Sequence, residues 1–209
     1  MNNKQIVKDA YSIIAQAYFD QFFINEEDLK YYEKFSNIAE KGLLIDAGCG
    51  NGSASYIMGK KGFDCIGYDL SEEMIALGKK HYPTLNIHVQ DIEFLPKLNE
   101  KAKSAIYAYS LPSLTLQQST NSLLSCNKNL IMGAKLMLLL HKGEGKKYID
   151  EPLASGTKNF VKYYNETEIT QLLNKCGFKV DSIDLDKELA DNAQGDIIMC
   201  VIATKVEDK

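Results

Sequence analysis

Leu43-Leu44-Ile45-Asp46-Ala47-Gly48-Cys49-Gly50-Asn51-Gly52 joins an apolar run to three alternating glycines, and Ser53 to Lys61 follows with helical patterning. That order reads as strand, glycine loop, helix. The glycines let the chain turn tightly off the strand and let a ligand approach the peptide groups with no Cβ in the way. Glycine-rich turns of this kind also occur as plain structure, so the motif gains meaning only from its surroundings. Downstream the same grammar repeats. Cys65-Ile66-Gly67-Tyr68 is a second short strand ending in Asp69, followed by Ser71 as the cap of a helix with Met74, Ile75 and Leu77 on one side. A third strand, Asn86 to Val89, leads to Asp91.

The rest of the chain extends the pattern. Ser104 to Tyr109 is a fourth strand that enters a turn at Leu111-Pro112, a polar helix fills Gln117 to Asn127, and Lys135 to His141 reads as a strand buried on both faces. A glycine- and lysine-rich stretch runs from Lys142 to Lys162. Glu166 to Cys176 is then a helix stopped by Gly177, and strands at Phe178 to Leu185 and Ile197 to Thr204, joined by a polar segment, close the chain. Upstream, Gln5 to Phe23 carries Tyr11, Ile14, Ala15, Tyr18 and Phe22 at helical spacing. Strands alternating with helices predict an α/β, doubly wound, mostly parallel sheet, and two successive strands at the end predict an antiparallel closing pair.

Three acids fall at or just after three successive strand ends: Asp46, Asp69 and Asp91. In open α/β sheets ligands bind outside the carboxyl ends of the strands, so these acids and the glycine loop are expected to share one crevice. Asp69 stands where such folds place a carboxylate for ribose hydroxyls. Asp91 can accept from an adenine amino group while Ile92 packs on the ring. The bland alternative for each acid is a solvated turn residue.

Composition limits what that crevice binds. The chain has 209 residues, a net charge of −4, 45% hydrophobic and 25% charged residues, which is ordinary globular usage. All 24 cationic residues are Lys, so no Arg fork is present for bidentate phosphate or guanine recognition. With its lysines scattered, the chain lacks a basic stripe for nucleic acid. Met1 to Asp9 lacks the apolar core of a signal peptide and no window is apolar enough to span a membrane, so a cytoplasmic protein is expected. Five cysteines without C-x-x-C spacing and three histidines predict reduced thiols and no metal site.

On these residues the chain resembles the class I S-adenosylmethionine-dependent methyltransferases. Asp46 to Gly52 resembles that family's D/E-x-G-x-G-x-G motif, Asp69-Leu70-Ser71 its D-x-S, and Asp91-Ile92 its adenine-binding acidic position. Ile106 to Pro112 is similar to the fourth-strand motif of small-molecule members. Asn129 to Leu140 resembles their L-x-P-G-G turn and fifth strand, with Met132-Gly133-Ala134 where Pro-Gly-Gly is usual. The resemblance implies a seven-stranded Rossmann-like sheet with an antiparallel last strand in a three-layer sandwich. It implies one domain over residues 1–209: a helical lid at 1–42 and a core at 43–209 carrying a substrate-side insertion at 142–162. It further implies S-adenosylmethionine as cofactor and S-adenosylhomocysteine as product. Asp46, Gly48, Gly50, Asn51 and Gly52 would hold the methionine part; Asp69 and Leu70 the ribose; Asp91 and Ile92 the adenine; Tyr109 lies beside them.

Methyl transfer is a displacement at a carbon already activated by the sulfonium, so no universal catalytic residue is required. His141, Ser110 and Tyr18 are the candidates for a catalytic part, and Tyr11, Tyr18, Ser110, Tyr163 and Tyr164 for the acceptor wall. Each has a packing alternative: the lid tyrosines as an aromatic stripe, Ser110 as a strand-end turn, His141 as a structural histidine. Cys49 is expected to be filler in the loop, and His81 and His88 to be exposed. A small-molecule acceptor, no nucleic acid or membrane partner, and a monomer or homodimer are expected. Two rivals remain. One is a non-catalytic S-adenosylmethionine-binding regulatory protein. The other is a nicotinamide-dependent oxidoreductase, disfavoured by Ser53 where G-x-G-x-x-G needs a small glycine-like residue, by the long leader, and by the antiparallel closing pair.

Overall fold

The sheet grows outward from the strand ahead of the glycine loop. The computed structural model describes residues 3–186 and 197–209. β1 (Leu43–Ala47) pairs in parallel with β2 (Asp64–Asp69) on one side and β4 (Ala102–Ala108) on the other. β3 (Ile87–Val89) extends the first side and β5 (Leu130–His141) the second, both in parallel. β9 (Ile198–Lys205) runs antiparallel to β5 and to β8 (Phe178–Asp186), giving the seven-stranded order β3-β2-β1-β4-β5-β9-β8. β8 and β9 close the sheet as the antiparallel pair expected from two successive strands. The polar segment expected between the two strands falls mostly outside the described residues.

Helices α3 (Ser53–Lys60), α4 (Glu72–His81), α5 (Leu116–Asn129) and α6 (Glu166–Lys175) connect the strands. They begin where the sequence supplies caps: Ser71 accepts from the Met74 amide, Thr115 and Gln118 form a reciprocal capping box, and Asn165 accepts from the Glu168 amide. The central strands are apolar on both faces. Ile45, Tyr107, Leu136 and Leu138 pack under α5 and α6 on one side, and Leu44, Ile106, Met137 and Leu139 pack against α3 and α2 (Leu29–Ile38) on the other.

Two elements leave the sheet. α1 (Asn3–Phe22) packs Ala15 with Tyr11, Tyr18 and Phe19 against Met74 and Leu77 of α4. Within the stretch read only as glycine- and lysine-rich, β6 (Lys146–Asp150) and β7 (Lys158–Lys162) form an antiparallel hairpin. Sequence alone misses it because β6 is mostly exposed and lacks the apolar alternation that marks a half-buried strand. Both elements lie over the carboxyl ends of the parallel strands. Two boundaries also move: the α5 helix runs two residues further than expected, and β5 begins at Leu130 rather than Lys135.

Candidate active site

The glycine loop is held in place by its neighbours. The amides of Gly48 and Cys49 donate to the Tyr68 carbonyl at 2.7 and 3.0 Å, and the Gly50 amide donates to Asp69 Oδ2 at 2.8 Å. Gly48 has φ +75°, and a Cβ there would overlap the Ser110 side chain at the end of β4. Gly50 has φ +52° with nothing within 4 Å of where its Cβ would stand, so the loop is open on that side. Gly52 turns away from the crevice. Its Cβ direction meets Leu85 and Ile87, and it serves as the left-handed residue that starts α3.

Asp46, Asp69 and Asp91 converge with this loop on one cavity of about 750 Å³, a volume typical of small-molecule sites. Asp46 is 1% exposed; its Oδ2 accepts from the amide and hydroxyl of Ser55 at 2.9 and 2.7 Å, whereas Oδ1 has no hydrogen-bond partner. Burial pushes its carboxyl up to about 6, the Ser55 bonds pull it down, and the charge of Asp69 adds to the rise. Asn51 Nδ2 is likewise buried without a partner. Buried polar atoms of this kind are normally satisfied, and both residues line the cavity, so they mark where a polar ligand belongs. Asp69 accepts from the amides of Gly50 and Ser71, and burial raises its carboxyl against those bonds. Asp91 caps the short helical turn at Ile92–Phe94 and is bridged, together with Glu93, by the Lys4 ammonium of α1.

The remaining predicted residues divide. Leu70, Ile92, Tyr11, Tyr18, Tyr109, Ser110, His141 and Tyr163 all line the cavity. Tyr109 has φ +58°, the left-handed region that a bulky side chain rarely adopts, and it is the one non-glycine described residue in that state. Its phenol donates to Asp28 at 2.8 Å. The Ser110 hydroxyl donates to the Ala47 carbonyl at 2.5 Å, which makes it a clamp between the ends of β4 and β1 instead of a group aimed at an acceptor. Tyr164 does not reach the cavity: it is fully buried in the core and its hydroxyl meets Ser119 at 2.8 Å. Neighbouring positions in a β-like segment point to opposite faces, so Tyr163 and Tyr164 could not both line one wall. Cys49 is buried with its thiol pushed well up by that burial, and His81 and His88 are exposed.

Several lining residues carried no readable signal. Asp28 follows Glu26 and Glu27 in what reads as a solvated acidic turn, yet it is 6% exposed and faces the cavity. Glu151 and Asn159 arrive from the hairpin, and Tyr32 from α2. Among the described residues no helix is long and apolar enough to cross a membrane.

Comparison with known proteins agrees with this geometry. The model of a methyltransferase domain matches residues 44–130, the segment that contains the glycine loop and all three acids. Residues 44–130 match a methyltransferase domain, and the chain is similar to class I S-adenosylmethionine-dependent methyltransferases. The methyltransferase core resembles the ubiquinone biosynthesis O-methyltransferase of Coxiella burnetii, 27% identical over 170 residues, covering 75% of this chain and 71% of the relative. An S-adenosylmethionine-dependent methyltransferase structure from Methanosarcina mazei superposes with a TM-score of 0.73 at 20% identity, over 83% of this chain and 97% of that one. The magnesium protoporphyrin IX methyltransferase of Synechocystis, solved with bound S-adenosylmethionine, gives a TM-score of 0.71 at 15% identity over 98% of each chain. In methyltransferase terms, the part of this chain outside the matched segment supplies the roof of the cavity: α1, the Asp28 turn and the β6–β7 hairpin.

Proposed function

We propose that the cavity binds S-adenosylmethionine along the carboxyl ends of β1 to β3 and that the chain transfers its methyl group to a small molecule held under β4 and β5. The observation that carries this reading is the convergence of Asp46, Asp69, Asp91 and the open face of Gly50 on one roofed cavity with unpartnered Asp46 Oδ1 and Asn51 Nδ2. When bound, S-adenosylmethionine supplies a methyl group on a positively charged sulfur, with a thioether as leaving group. Asp46 Oδ1 would accept from the ligand's ammonium group. Asp69 keeps lone pairs beyond the two backbone amides it already accepts from, enough for ribose hydroxyls. Asp91, oriented by Lys4 and the Glu93 amide, would accept from the adenine amino group beside Ile92.

α1 and the hairpin exclude water and align the acceptor, which is most of what methyl transfer asks of a protein. On this reading residues 1–42 are a lid, 43–209 the core, and 142–162 the acceptor-side insertion. Acidity without Arg supports a phosphate-free, cationic cofactor and argues against nucleic acid as the acceptor. The odd cysteine count without paired spacing supports a cytoplasmic setting. We infer a monomer or homodimer.

The test is calorimetry with S-adenosylhomocysteine followed by a labelled-methyl screen against a small-metabolite extract, with mass spectrometry of whatever acquires label. Micromolar binding and a labelled small product are expected, with no competition from nicotinamide dinucleotides. Binding without any transfer would instead favour a regulatory protein, and competition by dinucleotides would revive the oxidoreductase reading.

A further inference from the structure

The cavity continues under the ends of β4 and β5, where the charges of Asp46 and Asp69 still act on Tyr32 and Tyr18. Its wall is aromatic: Tyr18 and Phe22 of α1, Tyr32 of α2, Tyr109, and Tyr163 beyond the hairpin, with His141 whose ring lies 5.4 Å from that of Tyr109. Two carboxylates are set into this wall from distant parts of the chain. Asp28 accepts from the Tyr109 hydroxyl at 2.8 Å and from Asn25 Nδ2 at 3.2 Å. Glu151, 8% exposed, accepts from Asn159 Nδ2 at 3.1 Å and from the Leu153 amide at 3.2 Å.

Every one of those donors is neutral. Among the described residues neither carboxylate has an ion-pair partner, although fourteen other pairs of opposite charge do occur. The two lysines that line the cavity, Lys4 and Lys8, belong to the other half and are paired with Asp91, Glu93 and Glu72. Both carboxylates act on a common point: burial drives the Tyr18 phenol far up, and Tyr11, Asp28, Asp69 and Glu151 add to the rise. Burying a carboxylate without an ion-pair partner is costly, and Lys30, which lowers Asp28 from a distance, is itself paired with Asp186. Aromatic faces around it make the same space attractive to a positive charge.

We propose that this half of the cavity is a receptor for the ammonium group of an amine-bearing small molecule, held between Asp28 and Glu151 within the aromatic wall, and that this amine is the methyl acceptor's recognition group. The inference rests on the methyl-transfer reading and names the substrate class for it. A neutral acceptor would leave both carboxylates without an ion-pair partner, and an anionic one would be repelled.

The experiment uses the full chain saturated with S-adenosylhomocysteine, titrated calorimetrically with three probes of matched shape: 2-phenylethylamine, 2-phenylethanol and phenylacetate. The amine is expected to bind about tenfold or more tighter than the alcohol, as a charge-assisted contact allows, with phenylacetate undetectable. Glu151→Gln and Asp28→Asn should each erase about tenfold of the amine's advantage while leaving the alcohol's affinity in place, and retained S-adenosylhomocysteine binding reports that each variant is folded. Absence of amine binding, equal binding of amine and alcohol, or an amine affinity unmoved by both substitutions overturns the proposal. Failure of the wild-type chain to bind S-adenosylhomocysteine is a separate result, and it overturns the methyl-transfer reading instead.

Discussion

The Tyr109 phenol donates a 2.8 Å hydrogen bond to the buried carboxylate of Asp28, joining the end of β4 to the turn that follows α1. The bond does two jobs. It anchors Tyr109 in its left-handed backbone conformation, a state that costs on the order of 1–3 kcal/mol unless the surroundings impose it. It also steadies a carboxylate that burial pushes above its ordinary range, with the Tyr109 and Asn25 bonds pulling back down.

Tyr109→Phe therefore leaves Asp28 with one of its two side-chain donors. The variant should lose about 1–3 kcal/mol of stability in urea unfolding, the cost of a buried acceptor deprived of its partner. A wild-type unfolding midpoint would show that the bond contributes nothing.

Asp69→Ala removes the group that fastens Gly50 and Ser71 and that is placed for ribose hydroxyls. Two charge-assisted hydrogen bonds to a ligand are each worth about 1.5–3 kcal/mol, so S-adenosylhomocysteine affinity should fall by a factor of about 100 or more. Unchanged affinity by calorimetry would remove the ribose from this position.

Asp46 makes ligand binding depend on pH. Its carboxyl, pushed up to about 6 from an ordinary 3.8, is charged above that pH and neutral below it. Attraction for an ammonium group is thus present above pH 6 and lost as the pH falls through it. S-adenosylhomocysteine affinity should drop as pH is lowered from 7 to 5, with a slope approaching tenfold per unit, and Asp46→Asn should flatten the profile. For the ligand-free fold the sign reverses: the raised value means the buried charge disfavours folding above pH 6, and relief comes as pH falls from 6 toward 3.8.

Gly48→Ala and Gly50→Ala separate two reasons for a glycine. Both positions have positive φ, which costs an alanine roughly 1 kcal/mol. Only at Gly48 does the new methyl also overlap Ser110, whose hydroxyl is tied to the Ala47 carbonyl. Gly48→Ala should lower the melting temperature clearly more than Gly50→Ala, whereas Gly50→Ala, facing the open cavity, should mainly weaken ligand binding. Equal thermal effects would show that the Ser110 clamp yields freely.

Lys4→Ala releases α1 from Asp91 and Glu93. The pair is half-buried, so the loss in global stability should stay near ~0.5–1 kcal/mol, while amide exchange in α1 should rise several-fold. High salt should produce a weaker version of the same change in the wild-type chain.

The sequence by itself determined the local grammar. Apolar runs ending in Asp46, Asp69 and Asp91, capped helices and left-handed glycines are short-range features, and short-range features are written in adjacent residues. From them follow the parallel sheet, its antiparallel closing pair and the crevice at the strand ends. What only the tertiary structure decided is the rest of the cavity wall. Tyr164 left the site because side-chain direction depends on packing, Gly52 because it is the left-handed residue that starts α3 against Leu85 and Ile87, Ser110 became a strand clamp because Ala47 lies beside it, and the hairpin rose from a stretch with no apolar alternation. No motif singles out Asp28 or Glu151, and no spacing rule links them. Both line the same cavity only because the turn after α1 and the hairpin reach the same strand ends, where long-range packing removes the water that would otherwise surround them.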